Sequence, residues 1–140
     1  VKGGIEEATV QQILRQPWNM VASDGSFAGP DNAHPRATGT FPRVLGRYVR
    51  ELGVLSLEEA IRKLTSLPAE VVSLPDRGRL AEGRAADVVE FDPATIEDRS
   101  TYRHPNRMAT GVEHVLVAGV PVLSDGELTG RAPGRFLRRQ

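Results

Sequence analysis

The sequence predicts an α/β fold, and three observations carry that prediction. Near the N-terminus a helical stretch runs into a short apolar segment, residues 18–22, the helix-then-strand order of a parallel α/β architecture. Two helices with continuous apolar stripes follow, ahead of Pro68. Beyond Pro68 the periodicity changes, and glycines and prolines punctuate short β-branched runs.

Gly3 and Gly4 open the first helix, expected over residues 6–15. Its acids lie at the N-terminus, where the helix dipole favours them, and Val10, Ile13 and Leu14 share one face. Pro17 stops it, and residues 18–22 read as a buried strand. The loop over residues 25–39 is rich in Gly, Pro, Asn and Asp, so it is expected at the surface or over a site.

The second helix spans residues 41–52. Phe41, Val44, Leu45, Tyr48, Val49 and Leu52 keep helical spacing, Pro42 suits the first turn, and Gly53 suits the stop. The third begins at a capping box, Ser56 with Glu59. Leu57, Ala60, Ile61 and Leu64 form its stripe, and Pro68 ends it. Strands are expected over residues 86–91, 112–118 and 120–123, the last two joined by a two-residue hairpin at Ala118-Gly119. There is no internal repeat and no low-complexity segment.

Composition narrows the function classes. The 18 basic and 18 acidic residues cancel, which gives no global attraction to nucleic acid or to an acidic membrane surface. Arg131, Arg135, Arg138 and Arg139 crowd the last ten residues without an acid, but only Phe136 interleaves them. They read as a solvated basic tail, residues 131–140, or as partners for acids elsewhere in the protein. No cysteine is present, which removes disulfides and thiolate zinc sites and fits a reducing, cytoplasmic compartment. No apolar run approaches the roughly 20 residues needed to cross a bilayer. The 140 residues suffice for a modest core but not for an eight-stranded barrel, which takes about 250. Valine at position 1 leads to the expectation of a piece of a longer chain.

Chemistry concentrates in Ser23-Asp24-Gly25 and the segment after it. Asp24 closes the apolar run, where a barrel enzyme keeps a catalytic carboxylate, although an Asp-Gly turn satisfies the same spacing. Arg36 is a guanidinium that can hold a carboxylate bidentately or form an ordinary surface ion pair. His34, His104 and His114 lack metal-ligand spacing such as H-x-H. Asp76-Arg77-Gly78 and Ala86-Asp87 read as a structural turn and a strand-initiating carboxylate. A nucleophile elbow, a phosphate-cradling loop and a dinucleotide fingerprint are all absent.

These words, in order, resemble the C-terminal part of the N-acyl-D-amino-acid deacylases (D-aminoacylases) of the amidohydrolase superfamily. The resemblance rests on Ser23-Asp24-Gly25, on the run from His34-Pro35-Arg36 through Gly39-Thr40-Phe41-Pro42-Arg43 to Tyr48-Val49-Arg50, and on Thr65-Ser66-Leu67-Pro68-Ala69. It continues through Asp76-Arg77-Gly78, Ala86-Asp87, Phe91-Asp92-Pro93, Val117-Ala118-Gly119 and Leu128-Thr129-Gly130. The sequence departs from the family at Ala118, where Asn is usual, and at Glu90, where an apolar residue is favoured.

The resemblance implies the end of a metal-dependent hydrolase (β/α)8 barrel over residues 1–68: its last strand, catalytic loop and following helices. Residues 69–130 then supply strands of the flanking small β-sandwich, and the helix stripes face barrel strands outside this chain. It implies a zinc-dependent hydrolase of N-acyl-D-amino acids, completed by an N-terminal part that carries the other zinc ligands. Asp24 is implied as metal ligand and proton carrier, Arg36 as the group that binds the substrate carboxylate, and His34 as a shaper of the substrate loop. A cyclic amidase of the hydantoinase or dihydroorotase kind, and a non-catalytic β module that binds a protein partner, are the competing readings.

Overall fold

The computed structural model describes residues 4–25 and 34–137. Four α-helices precede a four-stranded sheet: α1 (Glu7–Leu14), α2 (Arg36–Arg43), α3 (Leu57–Leu64), α4 (Ser66–Val71), then β1 (Val88–Phe91), β2 (Val112–Val117), β3 (Val120–Ser124) and β4 (Glu127–Leu128). Between α2 and α3, Val44–Glu51 continues the helix with π-helical turns. The sheet is antiparallel throughout, in the order β1-β2-β3-β4.

The second helix differs from its sequence expectation at its start. It begins at Arg36, so Pro42 lies inside it. Proline has no N–H to offer the carbonyl one turn back. Past Pro42 the chain widens, and the Leu52 N–H reaches the Arg47 carbonyl at 2.9 Å, five residues back. Gly53, at φ 57°, ends the run as expected. The third helix is also redrawn. Ser56 caps α3 by accepting the Glu59 N–H at 3.2 Å, but α3 stops at Leu64 and Pro68 falls within α4. A proline is tolerated there because the N–H groups of a first turn have no intrahelical acceptor.

Residues 18–22 do not form the expected strand. A strand needs a neighbour for its N–H and C=O groups. Here the partners belong to no strand: the Asn19 N–H turns back to the Gln16 carbonyl at 3.1 Å, the Val21 N–H reaches the Lys63 carbonyl at 3.3 Å, and Trp18 stays 69 % exposed. The helix stripes also find partners within the chain. Val44, Leu45, Tyr48 and Ala60 pack with Leu14, Val54, Leu55 and Ile96 in one core.

Two side-chain relays hold the layers together. Lys63, fully buried, donates from Nζ to the carbonyls of Gln16 and Asn19 and pairs with Glu59 Oε1 at 3.3 Å. The Arg62 hydrogen bonds, with help from Lys63, hold the Glu59 carboxyl down at about 2. In the sheet, Ala118 (φ 50°) and Gly119 (φ 77°) make the two-residue hairpin between β2 and β3. Asp87 Oδ1 accepts the Ala118 N–H at 2.8 Å, while its other oxygen pairs with Arg77. Both words read as structural in the sequence, Asp76-Arg77-Gly78 and Ala86-Asp87, thus meet at that hairpin.

Candidate functional site

The turn that carries Asp24 is pressed against the first turn of α2. A Cβ on Gly25 would stand 2.8 Å from the Ala37 Cα, so only glycine allows this approach. Ser23 Oγ accepts the Gly25 N–H at 3.2 Å, and Asp24 adopts φ 47°, a left-handed conformation that aspartate tolerates better than most residues. The approach brings Asp24 and Arg36 together. Arg36 Nη2 lies 2.8 Å from Asp24 Oδ2, and Arg36 Nε donates to the Asp24 backbone carbonyl at 2.9 Å. Both side chains remain accessible, 46 % for Arg36 and 82 % for Asp24.

His34 sits just ahead of α2. Its Nδ1 accepts the Arg36 backbone N–H at 3.1 Å, which puts the proton of a neutral ring on Nε2. Its ring meets Tyr102 edge-on, with centroids 5.1 Å apart. The segment after β1 clamps this helix start. Ser100 Oγ approaches the Pro35 carbonyl at 3.0 Å and Asp98 Oδ1 at 2.6 Å, and Thr38 Oγ1 donates to the Pro105 carbonyl at 2.8 Å. Gly39 makes room for the clamp, because a Cβ there would fall 2.3 Å from both Asp98 Oδ1 and Ser100 Oγ.

His34, Arg36, Thr40, Arg43, Asp98 and Tyr102 line a cavity of about 320 Å³ beside this clamp. Two guanidinium groups face it, and Asp98 partly offsets one of them, 3.9 Å from Arg43. A larger apolar cavity of about 450 Å³ lies between α2 and the sheet, lined by Pro42, Met108, Val112 and Leu123. No charged side chain lines it, so it offers no acid–base chemistry. Asp98, Ser100 and Tyr102 were not singled out from sequence. The spacing Asp98-x-Ser100, whose Oδ1 accepts the Ser100 N–H at 2.9 Å, is the Asx-turn pattern that could have marked them.

The other histidines stand apart. His104 is exposed in the loop after Ser100. His114, on β2, lies 3.4 Å from Ser124 Oγ and 3.9 Å from Asp125 Oδ1, too loose for a nucleophile–base pair. Among the described residues no three His, Cys, Asp or Glu side chains are grouped to hold a metal ion. A catalytic zinc takes three protein ligands and an open position. Asp24 is one acidic donor of the right kind, not a site, and the described residues do not complete one.

The comparisons extend this picture. The model of the amidohydrolase family matches residues 4–123. An N-acyl-D-glutamate deacylase of Alcaligenes xylosoxydans xylosoxydans is 50 % identical over 96 % of this chain. A D-aminoacylase of the same organism is 45 % identical, also over 96 %. The solved N-acyl-D-glutamate deacylase of Bordetella bronchiseptica, bound to zinc and to a phosphonate mimic of its tetrahedral intermediate, superposes on 84 % of the chain with a TM-score of 0.80 at 45 % identity. In each case the chain spans only a quarter or so of the relative: 27 %, 28 % and 25 % of the respective lengths.

Proposed function

This chain belongs to the amidohydrolase family, and we propose that it is the C-terminal part of a zinc-dependent N-acyl-D-amino-acid deacylase. Such an enzyme is a hydrolase that cleaves a linear amide to a carboxylate and a free D-amino acid. In this reading residues 1–68 finish the barrel and residues 69–130 add strands to the flanking sandwich. The other zinc ligands come from an N-terminal part, and the enzyme works in the cytoplasm.

Zinc, when bound, supplies an acidified water, since such a metal lowers the pKa of water from 15.7 to about 7. Asp24 is placed in the chemistry as the carboxylate that takes a proton from the attacking water and returns it to the departing amide nitrogen. Arg36 binds the substrate carboxylate, and His34 fixes the loop that carries it. The supporting observation is the meeting of Asp24 and Arg36 at the edge of a cationic cavity, in a chain half identical to an N-acyl-D-glutamate deacylase.

The test is an assay of the full-length protein, loaded with zinc, against an N-acetyl-D-amino acid, its L-enantiomer and a cyclic amide such as a hydantoin. Turnover of the D-substrate that collapses in Asp24→Asn, by about 10²–10⁴-fold in kcat, supports the reading. Turnover of the cyclic amide alone moves the enzyme to the cyclic amidases. Full activity in Asp24→Asn leaves Asp24 as a turn residue.

A further inference from the structure

We propose that Lys63 and Arg62, two cations on α3, are positioning residues for Asp24: they fix the backbone that leads into the Asp24 turn and so set where its carboxylate stands. The inference rests on the deacylase reading above and deepens it, by giving a part in the chemistry to a helix that lines none of the cationic cavity.

The backbone leading to Asp24 has no strand beside it among the described residues, yet it carries the alternation of an extended chain. Trp18, Met20, Ala22 and Asp24 are exposed, and the residues between them are partly buried. Asp24 thus shares the outward face, and the opposite face, with Val21 packed on the helical core, lies against the protein. One turn of α3 grips the stretch from behind. Arg62 Nη2 donates to the Pro17 carbonyl at 2.6 Å, and Lys63 Nζ donates to the carbonyls of Gln16 and Asn19. The Lys63 carbonyl then accepts the Val21 N–H at 3.3 Å, so two adjacent residues tie the chain from 16 to 21.

The grip leaves little freedom. An ammonium has three N–H donors, and the third of Lys63 faces Glu59 Oε1 at 3.3 Å. Glu59 also accepts from Arg62 Nε at 2.8 Å and Nη2 at 2.9 Å, so one carboxylate aims both cations. A fully buried ammonium is weak evidence of stability but a strict constraint on position, because its acceptors must stay where its donors point. The far side of the turn is fixed by the contact of Gly25 with Ala37. Only Ala22 and Ser23 separate the last α3 contact from Asp24, so a shift of the gripped stretch has little chain in which to die out. The start of α2, with His34 and the Arg36 main chain, is held instead by Ser100 on Pro35. Loosening α3 therefore disturbs the proton carrier and spares the cavity wall.

Kinetics of the full-length enzyme at saturating zinc, per folded molecule and with an N-acetyl-D-amino acid, test the assignment. In Lys63→Met, kcat should fall on the order of tenfold to a hundredfold, the cost of a misplaced reacting group. Arg62→Gln, which loses one backbone contact on a partly exposed side chain, should lower kcat by about threefold. KM should stay within about twofold in both, because the loss falls on the transition state and not on binding. Arg62→Gln decides the matter should Lys63→Met not fold. An unchanged kcat in the folded variants overturns the assignment, and so does a KM that rises as much as kcat falls.

A second arm is independent of turnover. Amide hydrogen exchange of the zinc-free full-length protein should accelerate over residues 16–25 in both variants, and by more than it does over β2 and β3. Equal acceleration everywhere reports a general loss of stability and overturns the assignment, as does unchanged exchange over residues 16–25. A wild-type enzyme inert toward the substrate overturns the deacylase reading instead, while the exchange pattern still decides whether α3 holds the Asp24 segment.

Discussion

The carbonyl oxygen of Ile96 lies 2.7 Å from where a Cβ on Gly46 would sit. A π-helical turn thus rests directly on the backbone of the segment that follows β1. Arg50 Nη1 tightens the joint by donating to the same carbonyl at 2.6 Å, and the Ile96 side chain, 2 % exposed, enters the helical core. The same segment then runs on to Asp98 and Ser100, which clamp the helix start beside Arg36. The joint is therefore the foundation of the candidate site.

Gly46→Ala should destabilise the chain by about 2 kcal/mol, because forced overpacking outweighs the gain in helix propensity. Gly4→Ala, with nothing within 4 Å of the added methyl, is the neutral control. Ile96→Ala should cost roughly 2–5 kcal/mol through lost burial and the cavity left behind. Chemical denaturation with a common slope for all three variants measures these differences.

Lys63→Met should cost about 3 kcal/mol, since it strands the carbonyls of Gln16 and Asn19 and leaves Glu59 one partner short. Glu59→Gln should cost less, because the amide oxygen can still accept from Lys63 and both carbonyl bonds persist, although the buried ammonium loses its counter-charge. Equal losses in the two variants would place the value of this cluster in the ion pair and not in the buried carbonyl bonds.

Glu59 also sets a pH dependence. Its folded carboxyl titrates near about 2 against an ordinary 4.5, so across that interval the unfolded state binds a proton that the native state does not. The stabilisation is complete above pH 4.5 and is lost as the pH falls toward about 2. Glu58 and Asp92, both held low by backbone hydrogen bonds, act in the same direction. Melting temperature followed from pH 5 to pH 2 should fall less steeply in Glu59→Gln than in the wild-type chain.

Ala118→Asn should raise stability by roughly 1 kcal/mol. Alanine at φ 50° carries a left-handed penalty that asparagine relieves, and the Ala118 N–H bond to Asp87 is a backbone feature that survives the change. Asp87→Ala should do the opposite, leaving the hairpin N–H without its acceptor and Arg77 with only Asp76, 3.9 Å away. A melt of the double variant should show whether the two effects combine at the hairpin.

The sequence by itself determined the elements whose signals are local. The Ser56 cap, the Gly53 stop, the hairpin at Ala118-Gly119 and three of the strands follow from side-chain chemistry within a few residues. It also marked Asp24, His34 and Arg36 as the residues to examine, through the words around them. Tertiary structure decided what depends on distant partners. Residues 18–22 carry a strand's composition, but strands are made by neighbours, and among the described residues none pairs with them. Burial of Lys63 depends on carbonyls 44 and 47 residues away, and the Asp98–Ser100 clamp reaches Pro35 across 65. The pairing of Asp24 with Arg36 needed the close approach that Gly25 permits, which no local pattern encodes. Periodicity and capping act over one helical turn, whereas a buried cation and an ion pair between a turn and a helix start are settled only when separate segments pack.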